Sequence, residues 1–113
     1  MEKEIWENVE IFIKDVLRTV HHKIDAGASR EIEHFTKYDE YEMAFEILFN
    51  EIIKLKEVPQ IDFKKSKEIA QFLKLDVETI YDVEFWTKFE KLVATPSTSE
   101  IIIKGKNIDE KLK

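Results

Sequence analysis

The sequence predicts an all-α protein, a compact bundle of about five or six helices with a short non-helical C-terminal tail. Between residues 5 and 93, apolar side chains recur at intervals of three and four, the spacing of one face of a helix. Candidate N-cap residues, Ser or Asp, precede each of these segments after the first. The strand-like run Ile101-Ile102-Ile103 has no second strand in the sequence to pair with. We therefore expect one helical domain over residues 1–94, and a linker with a flexible or extended tail over residues 95–113.

The first predicted helix carries the longest apolar stripe. Its members are Ile5, Trp6, Val9, Phe12, Ile13, Val16, Leu17, Val20 and Ile24. The pair Ala26-Gly27 is predicted to end this helix, because glycine readily adopts the left-handed conformation that closes a helix. Ser29 is then the expected N-cap of a short second helix, whose apolar stripe is Ile32 and Phe35.

The third predicted helix begins at Asp39. Asp39 can cap it, and Glu42 three residues later completes a capping box in which Asp replaces Ser or Thr. The apolar stripe then continues toward Lys56 through Tyr41, Ala44, Phe45, Leu48, Ile52 and Leu55. Pro59 ends the pattern, because a residue that precedes proline avoids the helical conformation.

Aspartates are the predicted caps of the remaining helical segments. Asp62 precedes a helix with the apolar face Phe63, Ile69, Phe72 and Leu73. Asp76 is expected to cap a further turn, with Ile80 on its inside. Asp82 is expected to cap a last helix, whose apolar residues are Val83, Phe85, Trp86, Phe89, Leu92 and Val93.

Composition excludes several classes of protein. The 113-residue chain has no cysteine and only two glycines, which excludes a disulfide framework, a cysteine-based zinc or iron–sulfur site and a glycine-rich phosphate loop. No apolar run approaches the roughly 18 residues that span a bilayer. The acidic start MEKEIWENVE does not resemble a signal peptide. We therefore expect a cytoplasmic protein without a membrane partner.

The net charge of -6 is unevenly distributed along the chain. Residues 29–51 hold seven acidic and two basic residues, and residues 76–90 hold five acidic residues and one basic residue. Phosphate binding requires a basic surface, so we do not expect direct binding of nucleic acid. Two interpretations of the acidic segments remain open. They are solvated helix faces with caps, or they form a surface for a basic protein partner.

The candidate partner-binding residues lie in these two acidic segments. They are Tyr38, Asp39, Glu40, Glu42, Asp76, Glu78, Asp82 and Glu84. Tyrosine offers a large contact area at low entropic cost, and carboxylates steer a cationic partner toward the surface. Tyr41 is either part of this surface or a core residue that leaves only Tyr38 exposed. The two groups form one patch if the bundle brings their helix starts to the same end.

The sequence offers no convincing catalytic or metal site. Glu31 and His34 form one Glu-x-x-His motif, but a carboxylate di-iron site in a helical bundle needs two such motifs and further glutamates. None of the serines lies in a nucleophile elbow. We therefore predict that the protein is not an enzyme and has no catalytic residue, metal or cofactor.

Three stretches carry a resemblance to a known family. They are GASREIEHF at residues 27–35, YDEYEMAFE at residues 38–46, and the pair Phe85-Trp86. They resemble small acidic helical immunity proteins of bacterial polymorphic and contact-dependent toxin systems, including the MafI-like group. The resemblance covers roughly residues 27–93. It implies a protein that binds a toxin domain, often a basic nuclease, and inhibits it without chemistry of its own.

These observations predict an immunity protein that neutralises a cognate bacterial toxin domain through an acidic surface containing tyrosine. The alternative is a non-enzymatic regulatory or adaptor domain that binds another protein. The sequence does not name the partner. It also leaves open whether the protein is a monomer or pairs through the segment 101–103.

Overall fold

Five α-helices make up most of residues 2–94, the part of the chain that the computed structural model describes. They are α1 (Glu2–Val20), α2 (Ala26–Lys37), α3 (Tyr41–Ile53), α4 (Phe63–Phe72) and α5 (Phe85–Ala94). The prediction of an all-α bundle is confirmed. The predicted linker and tail, residues 95–113, lie outside the described residues.

α3 is the central helix, and α1, α2 and α5 all pack against it. Its consecutive residues Ala44, Phe45 and Glu46 are all fully buried, so more than one face of the helix is covered. A compact aromatic group joins α3 to α5: Phe45 stacks on Phe49 at 4.4 Å, and Phe89 meets both rings edge-on. Fully burying one such aromatic side chain contributes about 1.5–3 kcal/mol, which makes this group a main source of stability.

The boundary between α1 and α2 differs from the prediction. α1 ends at Val20, and a turn leads to Asp25, whose Oδ2 accepts the Ala28 N–H at 3.0 Å and caps α2. Gly27 therefore lies in the first turn of α2 with a negative φ, and Ser29 lies inside the helix. Asp and Ser are comparable N-cap residues, and the structure selects the earlier one.

Two helices close with a residue other than glycine in the left-handed conformation. Asp39 follows α2 with φ 64°, and the Glu40 N–H donates to the Phe35 carbonyl at 2.8 Å. Lys74 follows α4 with the same φ, and the Leu75 N–H donates to the Ala70 carbonyl at 3.0 Å. Both are Schellman closures, which usually place glycine at this position.

The start of α3 corrects the predicted capping box. Glu40 is the N-cap residue, and its side chain makes no capping hydrogen bond. Asp39 does not cap because it closes α2, and its carboxylate turns to the Tyr41 hydroxyl. The predicted cap of α4 is confirmed, since Asp62 Oδ1 accepts the Lys65 N–H at 2.9 Å.

Candidate protein-binding surface

The corner between α2 and α3 exposes part of the first predicted group of residues. Tyr38 keeps 60% of its surface accessible, and Asp39 and Glu40 are also exposed. Glu42 is half-buried in the first turn of α3. Tyr41 is buried, so the second interpretation of this residue, a core side chain, is confirmed.

Tyr41 anchors this corner to α1. Its Oη lies 3.0 Å from Asp39 Oδ1 and 3.2 Å from Glu10 Oε1, and its ring stacks on Trp6. Burial and the two neighbouring carboxylates raise the pKa of the Tyr41 phenol well above its ordinary value. The hydrogen bond from Lys14 holds the pKa of Glu10 below its ordinary value. Asp39 is therefore exposed but hydrogen-bonded to Tyr41, and Tyr38 and Glu40 are the residues of this corner that are free of such a structural role.

The segment between α4 and α5 is held by one buried carboxylate. Glu46 Oε1 accepts the Ile80 N–H, and Glu46 Oε2 accepts the N–H groups of Tyr81 and Asp82, each at 2.8 Å. The Glu46 side chain is fully buried and comes from the middle of α3. A loop without regular secondary structure is thus fixed to the central helix through three charge-assisted hydrogen bonds.

The same segment exposes four large apolar side chains within seven residues. The accessible fraction is 81% for Val77, 47% for Ile80, 53% for Tyr81 and 94% for Val83. The sequence predicted Ile80 on the inside of a turn and Val83 on the apolar face of the last helix, and both predictions are wrong. The helical periodicity does not apply here, because α5 begins only at Phe85.

The Tyr81 phenol is influenced by carboxylates from other parts of the chain. The pKa of its phenol is raised by partial burial first and then by the negative charges of Glu31, Glu46 and Glu40. Glu31 belongs to α2, and Glu40 belongs to the corner between α2 and α3. The contacts that join the 77–83 segment to this part of the protein are the hydrogen bonds of Glu46, which belongs to α3, the helix that begins at that corner.

Of the other predicted acidic residues, three are exposed and one makes contacts within the protein. Asp76, Glu78 and Glu84 are exposed. Asp82 forms an ion pair with Lys88 and accepts the Glu84 N–H, and these contacts hold its pKa below the ordinary value. Asp82 therefore stabilises the turn that leads into α5.

Neither a metal centre nor a membrane span is found in residues 2–94. No cluster of three or more His, Cys, Asp or Glu residues has the geometry to hold a metal ion in this part of the chain. His34 is exposed, and its ring contacts Tyr38 at 4.9 Å. The described helices are too short or too polar to cross a bilayer.

Two features of this surface were missed by sequence reasoning. Glu46 was counted among the surface charges, yet it is buried. The signal was its place inside the apolar run 44–49, which indicates a helix covered on several sides. Ile80 was assigned to the inside of a turn and Val83 to the last helix, although the spacing of three, one and two among the apolar residues of the 77–83 segment is not periodic.

Comparison with family models, curated proteins and solved structures finds no significant match for the chain.

Proposed function

We propose that this protein binds and neutralises a cognate bacterial toxin domain with a basic surface, and that it acts by occupancy rather than by catalysis. The observation that supports the proposal is the attachment of the exposed 77–83 segment to α3 through the Glu46 carboxylate. Because α3 begins at the corner that exposes Tyr38 and Glu40, one helix holds two acidic, aromatic segments that are about 40 residues apart in sequence.

Charge makes a cationic partner the best match for this surface. Glu31, Glu40 and Glu84 are exposed, and Tyr38 and Tyr81 lie among them with more than half of their surfaces accessible. Carboxylates raise the rate of association with a cationic protein, and buried aromatic side chains slow dissociation. A toxin inhibitor requires both properties. A nuclease is a suitable target because its substrate-binding face must be basic.

Co-expression tests the proposal. The C-terminal domain of the protein encoded immediately upstream is induced in cells with and without this chain, and growth and co-purification are measured. Rescue of growth together with a co-purifying complex supports the proposal. A harmless upstream domain, or a toxic one that this chain neither binds nor neutralises, contradicts it and favours the adaptor alternative.

A charge-reversal variant tests the surface itself. Glu40→Lys with Glu42→Lys is expected to weaken the complex by about tenfold or more, mainly through slower association. Glu57→Lys with Glu68→Lys is the matched control, because it changes the net charge equally at two exposed positions outside this surface. If both variants bind equally, the corner between α2 and α3 is not the interface.

Asp39 is left unchanged in this test because it has a structural role. Its carboxylate accepts from Tyr41, and its backbone occupies the left-handed conformation. Lysine at this position would lose the hydrogen bond and increase the backbone strain. A loss of binding would then not distinguish a contact from a change of structure.

A further inference from the structure

We propose that the anchor loop, residues 77–83, inserts its apolar side chains into an apolar pocket on a cationic protein partner, and that Glu46 is the positioning residue that holds the loop in the binding conformation. The proposal rests on the proposed function and adds the part of the surface that provides slow dissociation.

The exposure of the anchor loop is unusual for a surface segment. Single exposed apolar residues are common on soluble proteins. Val77 and Val83 expose more than four fifths of their surfaces, and Ile80 and Tyr81 lie between them. A cluster of this kind is typical of an interaction site.

The exposure does not come from a loosely held loop. The three hydrogen bonds to Glu46 fix the backbone of residues 80–82, and Thr79 Oγ1 donates to the Asp82 carbonyl at 2.7 Å. The Leu75 side chain just before the loop is fully buried. A loop ordered before binding loses less conformational entropy when the complex forms, which increases affinity.

The charge around the loop selects the class of partner. The exposed residues Asp76, Glu78 and Glu84 flank the apolar side chains along the chain. This negative rim repels phosphate, anionic lipid and a second copy of the same loop. It is complementary to an apolar pocket that is bordered by Lys or Arg, so a basic protein is the occupant that fits.

Substitution of the two most exposed residues tests the anchor loop. Val77→Ser with Val83→Ser removes apolar contact area without opening the core. The matched control is Ile5→Ser with Ile11→Ser, two partly exposed apolar positions on α1. All variants are checked by circular dichroism and thermal unfolding. Their dissociation constants are then measured with two probes: the upstream toxin domain, and a synthetic amphipathic peptide of leucine and lysine.

We expect the loop variant to bind at least ~tenfold more weakly than wild type to both probes, with faster dissociation, while the α1 variant keeps the wild-type affinity. If wild type binds the toxin domain and the loop variant binds it equally well, the anchor loop is refuted and the proposed function stands. If wild type does not bind the toxin domain but binds the peptide, and the loop variant loses the peptide, the anchor loop stands and the proposed function fails. If wild type binds neither probe, or neutral vesicles bind instead, the protein-pocket proposal is overturned.

A double-mutant cycle tests the role of Glu46. Glu46→Gln is expected to weaken binding to the same probes, and to have little further effect when Val77→Ser and Val83→Ser are already present. Such non-additivity shows that Glu46 acts through the loop. Additive losses in affinity would show that Glu46 affects binding only through overall stability, and would remove it from the proposal.

Discussion

Replacement of Glu46, whose carboxylate is buried, should cause the largest loss of stability that we predict for a single substitution. Alanine at this position leaves the N–H groups of Ile80, Tyr81 and Asp82 without their acceptor. An unsatisfied buried donor costs about 1–3 kcal/mol, and water will reach part of this loop when it loosens. We therefore expect Glu46→Ala to lower the free energy of unfolding by about 3–5 kcal/mol, a large fraction of the stability of a small domain.

Glutamine at the same position should have a smaller effect. Its single carbonyl oxygen, placed where Glu46 Oε2 lies, still accepts from Tyr81 and Asp82, but its amide NH₂ then faces the Ile80 N–H. We expect Glu46→Gln to cost about 2 kcal/mol. Glu42→Gln, one turn earlier on the same helix and half-buried, is the control and should change stability by less than about 0.5 kcal/mol.

Urea denaturation followed by fluorescence measures these differences, because both tryptophans, Trp6 and Trp86, pack against the core. Amide hydrogen exchange gives the local readout, and the amides of residues 80–82 should exchange much faster in Glu46→Ala than in wild type. The reasoning is refuted if Glu46→Ala lowers stability by less than about 1 kcal/mol while these three amides stay protected.

Three further predictions concern helix ends and the Tyr41 hydroxyl. Lys74→Gly should raise the free energy of unfolding by about 1 kcal/mol, because Lys74 has φ 64° and glycine adopts this conformation without strain. A urea titration that shows equal or lower stability would contradict this prediction. In the same assay, Asp25→Ala should lower the free energy of unfolding by about 1 kcal/mol and Ser29→Ala by much less, because Asp25 is the N-cap of α2. Equal losses for the two variants would contradict this assignment. Tyr41→Phe should flatten the alkaline loss of stability. The folded pKa of this phenol lies above its unfolded value of about 10, so its stabilising contribution is full below that pH and is lost as the pH rises through the folded pKa. Unfolding free energies of both proteins between pH 8 and pH 11 test this, and parallel curves would contradict it.

Much of the fold was predictable because local signals agreed with the packing. The three–four spacing in α1 predicted its buried face, where Val9, Ile13 and Val20 are nearly inaccessible. Asp62 caps α4 as expected, since a favourable residue stood directly before an apolar stripe. Helix ends were harder to predict: Ser29 was expected to cap α2, but Asp25, four residues earlier, is the N-cap.

The candidate surface was only partly predictable. Acidic residues and tyrosines are visible in the sequence, and several of those in the 38–42 and 76–84 segments are exposed in the structure. Which carboxylates face outward depends on contacts between distant segments. Glu10 and Asp39 both lie within hydrogen-bond distance of the Tyr41 hydroxyl, and Asp82 forms an ion pair with Lys88.

The sequence by itself determined the helical class, the position of most helices and the net negative charge of the chain, because these depend on residue spacing and side-chain type. The tertiary structure decided the role of Glu46 and the exposure of the anchor loop. A carboxylate is stable in the core only where hydrogen-bond donors surround it. For Glu46 these donors are backbone N–H groups of residues that lie 34 to 36 positions later in the chain. No local sequence pattern predicts these hydrogen bonds between distant segments. They make Glu46, which was expected at the surface, the residue that orders the loop.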